Sequence, residues 1–390
     1  MVQPVFLIRD PIREFSSWKS AGWQDIDSLI HGYISLFQVL EQTSSHAVSC
    51  LLYEKLVENP QVEIQHICEE WQVPFSEAML KGPLGLSFFS ADGEDVKLCG
   101  DEAAGPFATL EANSFIAPKV ETHGLLSNDE KEILEKSIGR QYLCCWKDDV
   151  VRLRTIFSEK TWIGFDLDDT LHEFRRASSK AIDCILTSIS AQYGTPMSRL
   201  REQYSRILKA KTASAFSDGR SSFDYRRERF TLLLTYFSLP QTTEFLDALL
   251  ESYETALVGA HELKCGAIGL LSTIKGMGKK IVVITEGPQD GQERTVNALG
   301  IRNYIDFLAT TNHFRVSKVD GLFRKVLQHL GISSDEIAYV GDSEERDMEP
   351  AIAEGIFSIH LAEAKNISLS SSPPRVNTLR KLQYIMSEKA

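Results

Sequence analysis

The sequence predicts an α/β protein whose main part is a parallel sheet covered by helices on both faces. Over residues 263–362, short apolar runs typical of buried strands alternate with helical patterns, which is the order expected of β-α units. A further apolar run, Trp162–Phe165, precedes residues 172–262, where apolar residues recur at helical spacing in four successive segments. We therefore expect a small helical domain inserted after the first strand of the sheet. A separate β/α pattern over residues 1–146 predicts an additional α/β domain.

The elements of this first domain follow from local signals. The apolar run Val5–Ile8 indicates a buried strand, and Pro11 suits the first turn of the helix after it. Ser127 and Glu130 have the spacing of a capping box, which predicts the start of the domain's last helix. The composition then turns charged, and residues 147–160 are predicted to be a linker.

The remaining residues divide into a core, a cap and a tail. Residues 161–171 and 263–362 are predicted to form the core, and residues 172–262 the helical cap. Residues 363–390 are expected to be a loose tail that ends in a short helix, because Ser and Pro cluster near its middle.

Composition excludes several function classes. The 390 residues carry a formal net charge of −12, which argues against binding dominated by nucleic-acid phosphates. The sequence has no apolar run of the roughly 20 residues that span a membrane, and its start lacks the basic region of a signal peptide. The seven cysteines are odd in number and scattered, as expected of reduced thiols. We expect a cytoplasmic protein.

Three carboxylates, Asp166, Asp168 and Asp169, crowd the end of the strand Trp162–Phe165. Ligands of open α/β sheets bind beyond the carboxyl ends of strands, so the position itself suggests chemistry. Carboxylates this close repel one another unless a proton or a cation intervenes, and Mg²⁺ would relieve the repulsion while binding a phosphate. The alternative is a solvated acidic turn.

Four more polar residues stand at strand or helix ends further along the chain. Thr285 follows an apolar strand, Lys318 begins a helix, and Asp342 and Asp347 follow the strand that ends at Val340. Each alone could be a cap, a turn or a surface residue. Separated by β-α units in this order, they indicate one site.

This order resembles the haloacid dehalogenase superfamily of aspartate-nucleophile phosphohydrolases over residues 160–362. The motifs that carry the resemblance are Asp166-x-Asp168-x-Thr170, Thr285, Lys318, and Gly341-Asp342 with Asp347. The resemblance implies a Rossmann-like parallel sheet, and the helical insertion is similar to the family's C1-type cap.

The resemblance also implies roles for these residues. Asp166 is expected to attack phosphorus and form an aspartyl-phosphate, and Asp168 to act as general acid and base. Thr285 would bind a phosphoryl oxygen, and Lys318 would neutralise charge on the nucleophile and the transferred group.

Mg²⁺ is the cofactor that the resemblance implies. Its expected ligands are Asp166, the backbone carbonyl of Asp168, and Asp342. Asp347 is expected to support the metal, if necessary through water.

Within the family, Asp168 favours a phosphatase over a dehalogenase, because a halide needs no acid to leave. A phosphomutase shares the core motifs, and a phosphonate hydrolase would need a cap lysine such as Lys209 or Lys211. The string Asp166-x-Asp168-Asp169 also matches the acid motif of protonating terpene cyclases, which we interpret as a coincidence in an α/β chain.

The substrate has to be predicted from the cap. Residues 201–230 are locally basic with aromatic residues among them, and Phe223, Tyr225 and Arg226 are our candidate substrate contacts. A cap that closes over the site admits small molecules, so we expect a small phosphate monoester such as a sugar or prenyl phosphate. The alternative is a solvated helix face with core aromatics.

Residues 3–146 resemble the C-terminal half of a PAPS-dependent sulfotransferase. The resemblance rests on Leu7–Pro11 with Ser17, and on the runs 53–56 and 60–75. It implies that Arg9 and Ser17 correspond to the site for the nucleotide's 3′-phosphate. The family's 5′-phosphate loop should lie upstream of the first strand, where this chain has no room for it. We expect an incomplete domain kept for packing or as a homodimer interface. The alternatives are a module that recruits a partner protein, and part of a complete sulfotransferase whose upstream sequence was lost.

Overall fold

A computed structural model describes residues 5–43, 49–80, 88–89, 95–96, 126–211 and 216–387. The chain divides into two compact units. The first comprises Met1–Val150 with Glu363–Ser370, and the second comprises Val151–Ala362 with Ser371–Ala390. Among the described residues, no helix has the length and apolar character needed to cross a membrane.

The first unit contains a parallel pair of strands, β1 (Val5–Ile8) and β2 (Ser49–Leu52). Its other elements are the helices α1 (Pro11–Ser20), α2 (Ile26–Thr43), α3 (Tyr53–Glu58), α4 (Pro60–Glu70), α5 (Asn128–Leu134) and α6 (Arg140–Cys144), the 3₁₀ turn Glu77–Leu80, the π turn Glu135–Gly139, and the antiparallel strands β3 (Phe88–Phe89) and β4 (Asp95–Val96).

Side-chain caps set the helix starts in this unit. Asp10 precedes α1, and its carboxylate accepts hydrogen bonds from the N–H groups of Ile12 at 2.8 Å and Arg13 at 3.2 Å. The predicted capping box is confirmed: the Glu130 N–H donates to the Ser127 hydroxyl at 3.2 Å, and the Ser127 N–H donates to the Glu130 carboxylate at 2.7 Å. Both arrangements satisfy N–H groups that a helix start leaves without partners.

The second unit is built on a six-stranded sheet in the order β10-β9-β8-β5-β6-β7, and every neighbouring pair is parallel. This confirms the predicted parallel α/β sheet. The strands are β5 (Trp162–Phe165), β6 (Lys280–Thr285), β7 (Phe307–Thr310), β8 (Ile337–Gly341), β9 (Phe357–Leu361) and β10 (Arg375–Val376).

Helices and turns connect these strands. They are α7 (Lys147–Glu159), which starts in the first unit, α12 (Ala267–Gly276), α13 (Gln289–Ala298), α14 (Thr311–Phe314), α15 (Phe323–Leu330), α16 (Glu349–Ala353) and α17 (Leu379–Met386), with 3₁₀ turns at Arg302–Tyr304 and Ser334–Glu336 and π turns at Lys318–Leu322 and Glu344–Met348. The helices between β5 and α12, numbered α8–α11, form the cap and are described below.

The strand order explains how distant sequence motifs meet. β5 lies between β8 and β6, so the residues that follow these three strands share one edge of the sheet. The three strands are almost entirely buried, as their continuous apolar sequences require. Asp166, Thr285 and Asp342 are the residues placed at this edge.

Four helices follow β5: α8 (Phe174–Tyr193), α9 (Met197–Lys211), α10 (Ser222–Tyr236) and α11 (Thr243–Gly259). Their apolar faces form one core that includes Ile185, Leu200, Phe230 and Leu250. These side chains recur at the spacing that places them on one face of each helix, so the helices form a small bundle of their own.

Two predicted segments differ from the structure. Residues 147–160 were expected to be a linker, and the division between the two units does fall there, after Val150. The segment is nevertheless a helix, Lys147–Glu159, that buries Leu153 and Phe157, because apolar residues recur among its charges. The tail from residue 363 was expected to be loose until its final short helix, but Ile367 and Leu369 are buried and Val376 pairs with Leu361 in the sheet. The polar Ser-Pro composition concealed these buried apolar side chains.

Candidate active site

A buried lysine joins two carboxylates at the edge of the sheet. The Lys318 Nζ lies 2.5 Å from Asp166 Oδ1 and 2.5 Å from Asp347 Oδ1. Asp166 follows β5 directly, and its N–H donates to the Val340 carbonyl at 2.9 Å, which fixes its backbone to β8. All three side chains are at least nine-tenths buried. The structure thus brings together three of the residues predicted to form one site.

Asp347 is held in place by the end of β8 and the turn after it. Its carboxylate accepts hydrogen bonds from the Tyr339 hydroxyl at 2.9 Å and the Ser343 N–H at 3.0 Å. A side chain at Gly341 would place its Cβ 2.5 Å from the Asp347 side chain, so only glycine permits this approach. Asp347 was expected to support the metal from behind its direct ligands or through water, and its carboxylate lies within 4.8 Å of those of Asp166 and Asp342.

Asp342 completes a group of carboxylates suited to a metal. Ligand oxygens of Asp166, Asp342 and Asp347 lie within 4.8 Å of one another. The Asp342 carboxylate also contacts the Thr170 hydroxyl at 3.4 Å and the Arg175 guanidinium at 3.4 Å. An all-oxygen set of this kind fits a hard divalent cation such as Mg²⁺. The residues present therefore fit the predicted cofactor.

The pKa shifts of the clustered residues also favour a bound cation. Burial raises the pKa of Asp166 well above its usual range, and the neighbouring carboxylates raise it further while Lys318 opposes them. Burial likewise raises the pKa of Asp342, and the Asp347 carboxylate adds to the effect. Burial disfavours the charge on Lys318, but the two carboxylates that it contacts raise its pKa overall. Because one lysine faces three carboxylates, a further cation would stabilise their ionised forms.

Asp168 has different surroundings from Asp166. Its Oδ1 lies 2.9 Å from His172 Nε2, and its Oδ2 accepts a hydrogen bond from Gln292 Nε2 at 3.1 Å. His172 is fully buried, and its ring packs edge-on against that of His261. Asp169, next in the chain, adopts φ +62° and its carboxylate pairs with Arg175, so it shapes the turn. Two fixed partners thus orient the Asp168 carboxylate.

Thr285 presents an unsatisfied hydroxyl to the site. Its side chain is fully buried at the end of β6, and Oγ1 has no hydrogen-bond partner among the residues that the structure describes. A buried hydroxyl left unpaired is unfavourable, and an oxygen of a bound ligand would satisfy it. This geometry suits the predicted phosphoryl contact.

A cavity of about 380 Å³ lies over this edge of the sheet. Asp166, Asp168, Thr285, Lys318, Asp342 and Asp347 line it from the core, and aromatic and basic side chains line it from the cap. The predicted cap contacts Tyr225 and Arg226 are among them. Phe223 lies outside the cavity, with its half-exposed ring beneath the guanidinium of Arg294 at 4.7 Å.

The predicted 3′-phosphate residues of the first unit lie on either side of the start of α1. The Arg9 guanidinium pairs with Glu14 at 3.4 Å and stacks over the Tyr53 ring at 4.6 Å. Ser17 lies within α1, where its carbonyl accepts a hydrogen bond from the Ser20 hydroxyl. A phosphate at Arg9 would meet the carboxylate of Glu14, and the sulfotransferase resemblance stays a prediction.

Comparison with known families identifies the second unit. A family profile described as haloacid dehalogenase-like hydrolase matches residues 163–361, just over half of the chain. The chain belongs to the haloacid dehalogenase-like hydrolases. The match begins within β5 and ends with β9, so it includes each candidate site residue of the second unit.

Two curated relatives of this hydrolase are described as glyceraldehyde 3-phosphate phosphatases. The protein from Methanocaldococcus jannaschii is 24% identical over 57% of this chain and 94% of its own length. The protein from Methanopyrus kandleri is 24% identical over 52% of this chain and 83% of its own length. Among solved structures, a HAD phosphatase from Thermococcus onnurineus is 22% identical, covers 58% of this chain and 97% of its own, and has a TM-score of 0.44.

Several residues that line the cavity or contact Asp168 did not emerge from the sequence. His172 lies six positions after Asp166, and its closeness in sequence could have indicated a contact with the cluster. Gln292, Tyr204 and Tyr253 come from three helices and carry no local signal, because a single polar or aromatic residue on a helix face is common. Only the folded arrangement brings them to Asp168 or to the cavity.

Proposed function

We propose that this hydrolase is a Mg²⁺-dependent phosphatase that cleaves a small-molecule phosphate monoester through an aspartyl-phosphate. The observation that carries the proposal is the shared cavity, in which Asp166 and its lysine partner, the carboxylate group and the unpaired Thr285 hydroxyl face one space. The curated relatives described as phosphatases support the same reaction class.

The proposed chemistry divides the work between two carboxylates. Asp166 attacks phosphorus, and its contact with Lys318 at 2.5 Å keeps it oriented and favours its ionised form. Asp168 gives a proton to the leaving oxygen and later removes one from the attacking water, with His172 and Gln292 fixing its orientation. Thr285 donates to a phosphoryl oxygen.

The carboxylates of Asp166, Asp342 and Asp347 would hold the Mg²⁺ ion. When bound, the ion supplies positive charge that offsets the charge of the phosphate and its carboxylate neighbours. Asp347 also contacts Lys318 and Tyr339, so its orientation is fixed by the protein.

The size of the cavity supports a small substrate. About 380 Å³ lies within the range of small-molecule sites, roughly 300–1,000 Å³. We propose sugar and prenyl monophosphates as the first classes to test. The proposed compartment is the cytoplasm, in agreement with the free thiols of the six cysteines that the structure describes.

Phosphate release from a panel of monoesters tests the proposal. We expect hydrolysis with Mg²⁺, its loss on chelation with EDTA, and its return when Mg²⁺ is restored. Asp342→Asn removes one proposed ligand, so half-maximal activity should need about 10- to 100-fold more Mg²⁺. Hydrolysis that persists unchanged after complete chelation would contradict the metal dependence.

His172 should matter most for poor leaving groups, because it orients the proposed acid Asp168. His172→Leu is expected to lower kcat at least about tenfold for an alkyl phosphate, since a hydrogen bond to a charged group is lost. The loss should be smaller for 4-nitrophenyl phosphate, whose leaving group needs little protonation. Steady-state kinetics on both substrates check this.

His172→Gln is the matched variant, because its amide can donate to Asp168 as the imidazole does. It should recover most of kcat for the alkyl phosphate. Equal losses on both substrates in His172→Leu would mean that His172 serves only the fold.

A further inference from the structure

We propose that the substrate carries a second anionic group on its organic part, and that Arg229 of α10 binds it. This inference rests on the proposed phosphatase function and names the class of its substrate. The inference rests on the charges that line the cavity, because Arg229 lacks, among the residues that the structure describes, the carboxylate partner that each of the other arginines there has.

The other arginines that line the cavity are neutralised by carboxylates. Their pairs are Arg175 with Asp169 at 3.1 Å and Asp342 at 3.4 Å, Arg226 with Glu254, and Arg346 with Glu286 at 3.6 Å. An arginine already paired in this way has less charge to offer to a ligand.

Arg229 has no carboxylate partner within residues 126–211 and 216–387, the parts of the second half that the structure describes. The four residues between these ranges are Thr, Ala, Ser and Ala, none of which carries a carboxylate. None of the described residues accepts a hydrogen bond from its buried Nε. A guanidinium that is half-buried and unneutralised leaves positive charge inside the cavity wall, and an anionic ligand would balance it.

The contacts of Arg229 hold it in place without neutralising it. Its positive charge acts on the Tyr204 hydroxyl, whose pKa it lowers against the effect of burial, and its guanidinium lies 5.8 Å from the centre of the Phe216 ring. Both of these neutral residues also line the cavity. Arg229 is thus oriented in advance, which reduces the entropy lost when it binds a ligand.

The wall around Arg229 defines the rest of the substrate. Tyr204, Leu208, Phe216, Tyr225, Tyr253 and Leu257 line the cap side, and most of their surface is aromatic or apolar. A phosphate at Asp166 and an anion at Arg229 would therefore be joined by an apolar or aromatic linker. A carboxylate and a second phosphate share the oxygen pairs that arginine recognises, so the test includes both.

Three matched probes test this inference: 4-(carboxymethyl)phenyl phosphate, 4-(phosphonomethyl)phenyl phosphate, and the neutral amide 4-(carbamoylmethyl)phenyl phosphate. Calorimetry with Asp166→Asn in the presence of Mg²⁺ measures binding without turnover. We expect at least one anionic probe to bind about tenfold or more tightly than the amide, as one charge-assisted contact allows. The stronger of the two identifies the anion.

Variants of Arg229 in the Asp166→Asn background isolate its charge. Arg229→Gln keeps a polar side chain of similar length but loses the charge, so the preference for the anionic probe should fall to near one. Arg229→Lys keeps a positive charge and should keep part of the preference for the anionic probe. The control is Arg199→Met, which removes an exposed cap arginine that lies over the Phe237 ring outside the cavity, and the preference should remain. Thermal unfolding of each variant shows whether it is folded, and Arg229→Met repeats the test if Arg229→Gln is not.

A preference that is unchanged in Arg229→Gln, or equal binding of all three probes, would overturn the inference. Turnover by the unmodified hydrolase separates this result from the proposed function. Hydrolysis of all three probes at equal kcat/KM leaves the phosphatase standing and removes the role of Arg229. A binding preference that depends on Arg229, without phosphate release from any monoester, supports the anion site at Arg229 and contradicts the proposed phosphatase function.

Discussion

Asp166→Asn is expected to lower kcat for phosphate release by at least about a thousandfold, because the amide cannot form the acyl-phosphate bond of the proposed intermediate. The substitution is nearly isosteric, and the amide oxygen can still accept a hydrogen bond from Lys318. The fold should therefore survive while the chemistry is lost. Steady-state phosphate release, with thermal unfolding to show an intact fold, measures the effect.

Asp335→Asn is the matched control, since it removes an exposed carboxylate of the same unit before β8. Its kcat should stay within about twofold of the unmodified enzyme, as surface changes away from special features have small effects. Rapid quenching should also trap phosphate on Asp166 in the unmodified hydrolase. Mg²⁺-dependent turnover that survives in Asp166→Asn would rule out the proposed nucleophile.

The core of the site could be predicted from the sequence because its residues stand at the ends of strands. Strands are read from continuous apolar runs, and a parallel sheet brings their carboxyl ends to one edge, so Asp166, Thr285 and Asp342 could be placed together before any coordinates. The order β8-β5-β6 is the physical reason for this success.

The cap side of the site could not be predicted in the same way. Its side chains come from helix faces, and which face lines the cavity depends on how the four helices pack. Phe223 and Tyr225 are two residues apart on α10, so they point in different directions, and only Tyr225 lines the cavity. Arg229, one turn further on, shares the cavity with Tyr225.

The sequence also failed to predict which apolar side chains are buried in two segments of polar composition. In α7 and in the segment after residue 363, the buried residues are spaced among charges, Ser and Pro. Composition averages over such a segment and hides a single apolar face. Periodicity over a few turns is a better guide than composition there.

Lys318→Met is expected to lower kcat by about a hundredfold or more and to lower the free energy of unfolding by about 3–5 kcal/mol near pH 7 without added metal. The lysine is the cation that contacts both Asp166 and Asp347, and all three side chains are almost fully buried. Without it, the carboxylates of Asp166 and Asp347 remain buried beside an apolar methionine, and burial without a cation disfavours their charged forms. Chemical denaturation measures the stability.

The pH dependence of this stability loss follows from the direction in which folding changes the pKa of Asp166. The pKa of Asp166 is raised in the folded protein, mainly by burial, and removing Lys318 should raise it further. A raised carboxyl pKa favours folding while the group is protonated, and this advantage is lost as pH rises through the folded-state pKa. The difference between Lys318→Met and the unmodified protein should therefore be larger at about pH 8 than at about pH 5.

Lys275→Met provides the control for both measurements, because Lys275 pairs with Asp306 at 2.8 Å on the surface of the same unit. Removing an exposed pair should change stability by no more than about 1 kcal/mol, with little difference between the two pH values. Mg²⁺ should stabilise Lys318→Met more than the unmodified protein, since a bound cation would balance the carboxylates that the lysine leaves behind. A pH-independent loss in Lys318→Met, with no gain from Mg²⁺, would mean that lost packing rather than unbalanced charge accounts for the effect.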